Sequence, residues 1–267
     1  MAGGTAFYFS YAVCNLDVKY LLMTALAEDD MQYVDRLRSK GLEIKVQQST
    51  HTVFFENIYG NNPDIRTQNV LAKADPFAIE PLRDVEAQMF HLGPLLADDM
   101  STDFIKAISK KGKVSLDAQG YLRKVENQKV LPVDWPDKTE ALRYVDILKV
   151  DEAEMTVLTG YNKVIDGAKQ LADWGVKEVV VTNGSMGSSI YNDGTLYDIP
   201  AFRPKVIVDA TGCGDSYMGG YLYQRVKGKG IQESGEFAAA IASLKMESPG
   251  PFRGTEQDVI HRLSKPI

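Results

Sequence analysis

The sequence predicts an α/β protein: a doubly wound, mostly parallel sheet with helices on both faces and a small β lid. Three observations point there. Strand-like apolar runs alternate with helical patterns along most of the chain. Two turn-rich stretches break that order with hairpin signals. In the last third, a glycine-containing loop leads into an apolar helix.

In chain order, Gln48 to Ala72 reads as an antiparallel hairpin, with Thr52 to Asn57 and Arg66 to Val70 flanking a turn-rich Gly60 to Asp64. Val85 to Leu92 reads as a strand and Asp98 to Lys110 as a helix with Phe104, Ile105 and Ile108 on one face. Lys113 to Asp117 is a short strand, Asp137 to Arg143 a helix, and Val145 to Val150 a strand. Asp151 to Leu158 is a helix closed by Gly160, and Ile165 to Trp174 a helix with Gly175 just past its end. Glu178 to Thr182 is a buried strand. Ser188 to Asn192 and Thr195 to Ile199 flank Asp193-Gly194, a two-residue hairpin turn. Val206 to Val208 reads as a strand, and Phe237 to Met246 as an alanine-rich helix able to approach a neighbour or a flat ligand closely. The expected division is a core of residues 1–45 and 74–267 and a lid of residues 46–73.

Composition narrows the function classes. A net charge of −6 argues against a nucleic-acid partner bound through a strong positive field. Two cysteines, Cys14 and Cys213, make no disulfide framework. No apolar run reaches the roughly 18 residues of a membrane span, and the first residues lack the pattern of a secretory signal. The expected address is the cytoplasm, with neither nucleic acid nor membrane as partner.

The segment Asp209-Ala210-Thr211-Gly212-Cys213-Gly214-Asp215 carries the most chemistry. A glycine loop opening a helix presents unpaired N–H groups and the positive end of the helix dipole, a site for a phosphate or a developing anion. Asp215 can be read as the helix N-cap, or as a base that takes the proton of a substrate hydroxyl while the N–H groups hold a transferring phosphoryl group. Cys213 can be read as a thiol activated by the helix end, although a small residue chosen for fit is the favoured reading. Asp117, Gln119 and Arg123 follow a strand and so belong at the carboxyl edge of the sheet, where open α/β sheets bind ligands; a polyol contact and a surface turn both remain open there. The three histidines show no metal-ligand spacing, and there is no Walker lysine motif.

The segment from Asp209 to Asp215 resembles the carboxyl-terminal signature of the ribokinase-like, or pfkB-type, carbohydrate kinases, with Ala210 and Cys213 departing from its usual residues. The resemblance runs along the chain in order. Gly3-Gly4-Thr5-Ala6-Phe7 resembles the family's Gly-Gly pair beside the substrate. Tyr20 to Glu43 resembles the strand, acidic turn and helix that follow, and His91 to Pro94 the turn after a central strand. Lys149 to Glu154 stands at the Asn-x-x-Glu motif, with Asp151 in place of Asn, and Thr182 to Gly187 at the Thr-x-Gly-x-x-Gly loop.

The resemblance implies transfer of the γ-phosphoryl group of ATP to a hydroxyl of a sugar or cyclic polyol. Asp215 would be the base, and Gly212, Cys213 and Gly214 the anion hole. Thr182, Gly184 and Gly187 would lie on the nucleotide, with Ser248, Gly250 and the alanine-rich helix bordering the adenine. Asp151 and Glu154 would organise Mg²⁺, largely through water. Potassium is implied at Asp209 and Thr211, although Asp209 ordering its own loop is the simpler reading. Gly3, Gly4 and Thr5, with Asp117, Gln119 and Arg123, would face the acceptor; these last, together with Gly-Gly-Thr-Ala-Phe, look closer to inositol-kinase-like members than to ribokinase itself. The family also has a first strand and lid segment ahead of its Gly-Gly pair, so the lid is expected to rest on Gln48 to Ala72. A lid edge could pair across a homodimer. A nucleoside kinase of the same superfamily, or a kinase-like binding or regulatory protein without catalysis, stay as alternatives.

Overall fold

A computed structural model describes residues 2–59 and 66–264. Three sheets form. The largest has six strands in the order β12-β11-β10-β9-β6-β5: β5 (Met89–Leu92), β6 (Lys113–Asp117), β9 (Ile147–Asp151), β10 (Glu178–Thr182), β11 (Ser188–Asn192) and β12 (Thr195–Ile199). The first four of these are parallel, and β11 and β12 add on antiparallel. A parallel pair, β1 (Leu21–Leu26) and β2 (Glu43–Gln48), stands as a separate sheet. The third sheet is antiparallel, in the order β3-β4-β8-β7, from β3 (Phe54–Tyr59), β4 (Arg66–Ala72), β7 (Arg123–Glu126) and β8 (Lys129–Pro132).

The helices are α1 (Gly4–Val13), α2 (Met31–Arg38), α3 (Thr102–Ser109), α4 (Lys138–Ala141), α5 (Glu152–Thr159), α6 (Val164–Asp173), α7 (Cys213–Val226), α8 (Ile231–Met246) and α9 (Glu256–Leu263). They cover both faces of the six-stranded sheet. Alternate residues of a strand point to opposite faces, and the two cores divide the strands accordingly. Leu116, Leu148, Val150, Val179 and Val181 pack with α3, α5 and α6, whereas Ile147, Val180 and Ile190 pack with α1, α7 and α8. By the same alternation Lys149, two residues after Ile147, lies on the face covered by α1 and α7.

Several elements differ from the sequence reading. The strand expected over Val85 to Leu92 begins at Met89, and the helix expected from Asp98 begins at Thr102, because Ser101 caps it by accepting from the Phe104 N–H at 3.2 Å. The alanine-rich helix starts earlier, at Ile231. Val206 to Val208 forms no strand: all three are exposed, and the N–H groups of Val208 and Asp209 go to the Met246 carbonyl at the end of α8 instead of to a sheet edge. The hairpin from Gln48 to Ala72 gives β3 and β4, but Gln48 belongs to β2, and β4 pairs further with β8. Residues 123–132, assigned to the core from sequence, therefore belong to the same sheet as the hairpin. The turn around Gly60 to Asp64 lies outside the described residues. Among the described residues no helix is long and apolar enough to cross a membrane.

Candidate active site

The carboxyl ends of β5, β6, β9 and β10 and the amino ends of α1, α5 and α7 place most of the candidates. The lead into α7 is the decisive piece. Gly212 is the N-cap, with φ 75° and ψ 14°. A side chain at Gly212 would lie 2.1 Å from the Tyr8 ring of α1, so neither the backbone angle nor the space admits one. Asp215 is thus the third residue of the helix and not its cap, which removes the N-cap reading. Its carboxyl is raised to about 6, chiefly by burial and then by the Asp117 charge; a hydrogen bond from Thr5 and the charges of Lys149 and Arg123 act in the opposite direction.

Thr5 reaches this point because α1 starts against the turn after β5: a side chain on Gly93 would lie 2.2 Å from the Thr5 methyl. Gly3 caps α1. Asp117 ends β6, where its Oδ1 accepts from the Gln119 N–H at 3.0 Å and its Oδ2 lies 3.1 Å from Lys149 Nζ. Lys149 is buried and also lies 3.8 Å from Glu154 Oε2. The bare Cα of Gly214 faces it, since a methyl there would sit 3.5 Å from Nζ. Burial disfavours the Lys149 ammonium, but the charges of Asp117, Glu154 and Asp215 outweigh it and raise its pKa. One ammonium thus stands among three carboxylates drawn from β6, α5 and α7.

Asp151 and Glu154 form a reciprocal cap at the start of α5. Asp151 Oδ1 accepts from the Glu154 N–H, and Glu154 Oε2 accepts from the Asp151 N–H, each at 2.7 Å. Among the described residues no cluster of three His, Cys, Asp or Glu side chains forms a metal cage. The loop after β10 is pinned to α5, because Asn183 Nδ2 donates to Glu152 Oε1 at 2.8 Å. Gly187 turns it back with φ 99°, where a side chain would strike the Ile199 carbonyl at 2.2 Å. A cavity of about 260 Å³ opens beside this loop, lined by Glu152, Asn183, Ser188, Asp198 and Pro200 among others.

One sequence reading changes here, that of Cys213 in the anion hole. The Cys213 thiol is pushed up to about 11 by burial, so the helix end does not activate it, and the preferred reading as a small residue stands. The Cys213 N–H goes to the Ala210 carbonyl at 3.2 Å, which takes it out of the anion hole. The N–H groups of Gly214 and Asp215 are in the first helical turn, where the helix itself supplies no acceptor. The alanine-rich helix sets Ala238 and Ile241 against Gly220 of α7. Ser248 is exposed, and the Gly250 N–H donates to Asp209 Oδ2 at 3.2 Å.

Two residues escaped the sequence reading. Lys149 was legible as a lone charge in an otherwise apolar central strand. His91 was set aside for want of ligand spacing. It is half-buried on β5, with Nδ1 3.1 Å from Ser115 Oγ and its ring stacked on Phe9 at 4.7 Å. Burial holds its pKa down to about 4, so it is a neutral wall of the site.

The sequence and the fold resemble those of known proteins. The chain is similar to the cytidine kinase of Thermococcus kodakarensis, 26% identical over 87% of this chain and 83% of that protein. It is also similar to fructokinase-1 of Zea mays, 30% identical over 79% of this chain and 67% of that one. Among solved structures, a pyrophosphate-dependent kinase of the ribokinase family, complexed with a pyrophosphate analogue and myo-inositol, superposes with a TM-score of 0.86 at 30% identity, covering 97% of this chain and 91% of that one. Arabidopsis thaliana ribokinase, complexed with ribose and ATP, superposes with a TM-score of 0.78 at 22% identity over 100% and 88%, a likeness of fold. The sequence model of the pfkB family carbohydrate kinases matches residues 22–258, and the chain belongs to that family, as a small-molecule kinase of ribokinase-like fold.

Proposed function

We propose that this kinase moves the terminal phosphoryl group of a diphosphate-bearing donor onto a hydroxyl of a cyclic polyol of the inositol type. The observation that carries the reading is Asp215: a carboxylate raised to about 6, fixed in the first turn of α7 beside free N–H groups, with Thr5 and Asp117 around it. The acceptor hydroxyl gives its proton to Asp215 as its oxygen bonds to the terminal phosphorus. The bridging P–O bond breaks and its electrons leave with the remaining phosphate. The N–H groups of Gly214 and Asp215 face the charge that develops. Asp117, Gln119 and Arg123 would orient the acceptor's other hydroxyls, with Gly3 and Gly4 at its edge. The four-stranded sheet would close over it and exclude water.

Thr182, Gly184 and Gly187 would hold the donor phosphates. Pyrophosphate is favoured as donor because the Gly250 N–H, expected beside an adenine, is given to Asp209. The pyrophosphate-dependent relative supports the same choice. ATP is the second reading, favoured by the cavity beside the donor loop. The capping box leaves Asp151 Oδ2 and Glu154 Oε1 outside its own bonds. With donor phosphates and water they make an all-oxygen set that suits Mg²⁺, which would offset charge on the transferring group. A second copy of the chain would pair on the lid sheet, where Phe54, Ile58, Leu71 and Leu131 are exposed.

The test is a matrix of donors (pyrophosphate, ATP) against acceptors (inositols, hexoses, ribose, nucleosides) with Mg²⁺, read by product phosphate ester. Turnover is expected with an inositol and pyrophosphate. Turnover only with ATP overturns the donor assignment, and turnover only with a nucleoside, a hexose or ribose overturns the acceptor assignment.

A further inference from the structure

On the far side of the anion loop from Lys149 stands a second buried lysine. Lys245, near the end of α8, has a fully buried side chain. Its Nζ donates to the Asp209 carbonyl at 2.7 Å and lies 3.1 Å from Asp209 Oδ2. It also sits 5.6 Å from the centre of the Tyr8 ring, the same ring that packs against Gly212. The remaining capacity of Asp209 is committed too: Oδ1 accepts from the Thr211 N–H at 2.9 Å, and Oδ2 from the Gly250 N–H. Potassium was implied at Asp209 and Thr211, and the residues present do not fit it. The carbonyl and carboxylate oxygens that would coordinate a monovalent cation already face an ammonium that cannot leave.

We propose that Lys245 is a built-in monovalent cation: its ammonium performs the positioning that an exchangeable alkali ion would otherwise perform at Asp209, so this kinase works without one. The inference rests on the kinase reading for its catalytic consequence, but the occupancy of the site does not. A fixed charge here does two things. It ties the strand-less segment entering the loop to the end of α8, together with the Val208 and Asp209 N–H bonds to Met246. It also supplies a permanent positive charge behind the loop, felt at Cys213, whose thiolate it favours against burial. Lys245 touches no reacting atom in this arrangement, and its role is positioning.

The test compares the wild type with Lys245→Ala and Lys245→Arg in KCl, NH₄Cl and choline chloride at equal ionic strength. In the wild type, melting temperature and kcat are expected to be the same in all three salts. In Lys245→Ala the vacated space beside Asp209 is expected to take K⁺ or NH₄⁺, raising the melting temperature over choline by about 3 °C and recovering several-fold of a lowered kcat. Lys245→Arg should show no cation dependence. A K⁺-specific rise of melting temperature or of kcat in the wild type overturns the proposal. So does a folded Lys245→Ala whose melting temperature is identical in the three salts. Should Lys245→Ala fail to fold, wild-type crystals soaked in thallium decide: an anomalous peak within coordination distance of Asp209 overturns the proposal, and its absence at a soak that marks other sites upholds it. The melting and crystal arms stand even if no acceptor in the panel is turned over.

Discussion

Asp209 and Asp215 open and close the same loop, and their surroundings drive them to opposite ends of the carboxylate range. At Asp209 burial raises the pKa, but hydrogen bonds from Thr211, Lys245 and Gly250 outweigh it and bring it to about 2. At Asp215 burial and the Asp117 charge win over the Thr5 hydrogen bond and the more distant cations, giving about 6. The difference lies in whom each lysine serves. Lys245 faces one carboxylate, that of Asp209. Lys149 is shared among Asp117, Glu154 and Asp215, and its closest contact is Asp117. An aspartate held near 2 is a structural anion. One held near 6 can accept a proton near neutral pH and release it again.

The sharpest way to break this comparison is to neutralise each aspartate. Asp215→Asn removes the proposed base and is expected to lower kcat by roughly 10²–10⁴-fold, while leaving the melting temperature at pH 7 unchanged or higher, because the buried charge is gone. Asp209→Asn should do the reverse, lowering the melting temperature and costing about 2 kcal/mol through its weakened bonds to Lys245. If the two variants behave alike, the division between base and anchor fails.

The next test is the shared lysine. Lys149→Met leaves Asp117, Glu154 and Asp215 around an apolar side chain. Losing the cation of a buried pair costs about 3–5 kcal/mol, to be read by denaturant unfolding. Adding Asp117→Asn should recover part of that loss, since it removes the carboxylate nearest the vacated ammonium. No recovery in the double variant would mean that Lys149 acts by packing alone.

Acidity offers a gentler comparison, with no substitution at all. The Asp215 pKa is raised from its ordinary 3.8 to about 6. Its contribution to stability is therefore complete below about pH 4 and is lost as pH rises through about 6. Activity follows the ionised form, so kcat should climb over the window in which that contribution fades. The Asp209 pKa is lowered from 3.8 to about 2, and its contribution holds above about pH 4 and disappears as pH falls through about 2. A kcat profile flat from pH 5 to 8 would remove Asp215 from the role of base.

How much of this could be read in the sequence follows from what each feature depends on. The strands Glu178 to Thr182, Ser188 to Asn192 and Thr195 to Ile199 were legible to the residue, because a buried apolar run and an Asp-Gly turn are local signals. Val206 to Val208 misled for the converse reason: its pattern is that of a strand, but its N–H partner is a helix carbonyl far along the chain. Residues 123–132 lack any signal that they pair with a hairpin some sixty positions earlier, a contact set only in three dimensions. At the site, Asp215 was marked by the glycine loop that opens its helix, and Glu154 by the family resemblance. The sharing of Lys149 was not, since it needs β6, β9, α5 and α7 at once. Lys245 was invisible because nothing in an alanine-rich helix says which of its charges will be enclosed.

The smallest expected effect separates two roles on the Lys149 side of the loop. Asp151 caps α5 through Oδ1, and it stands where the family resemblance puts asparagine. Asparagine retains an acceptor oxygen for the Glu154 N–H and is as good an N-cap as aspartate. Asp151→Asn should therefore leave the melting temperature within about 1 °C, since a cap preserved costs only tenths of a kcal/mol. It removes one negative charge close to Glu154, a charge that helps raise the Glu154 pKa. With Glu154 kept and Asp151 reaching Mg²⁺ only through water, kcat and the Mg²⁺ concentration for half-maximal rate should each move by less than about 3-fold, under 1 kcal/mol. A rise of 10-fold or more in that Mg²⁺ concentration at unchanged melting temperature would assign the second carboxylate to the metal. The cation-sharing side of the loop would then need both of its capping acids for chemistry, as the Lys245 side needs its single aspartate for structure.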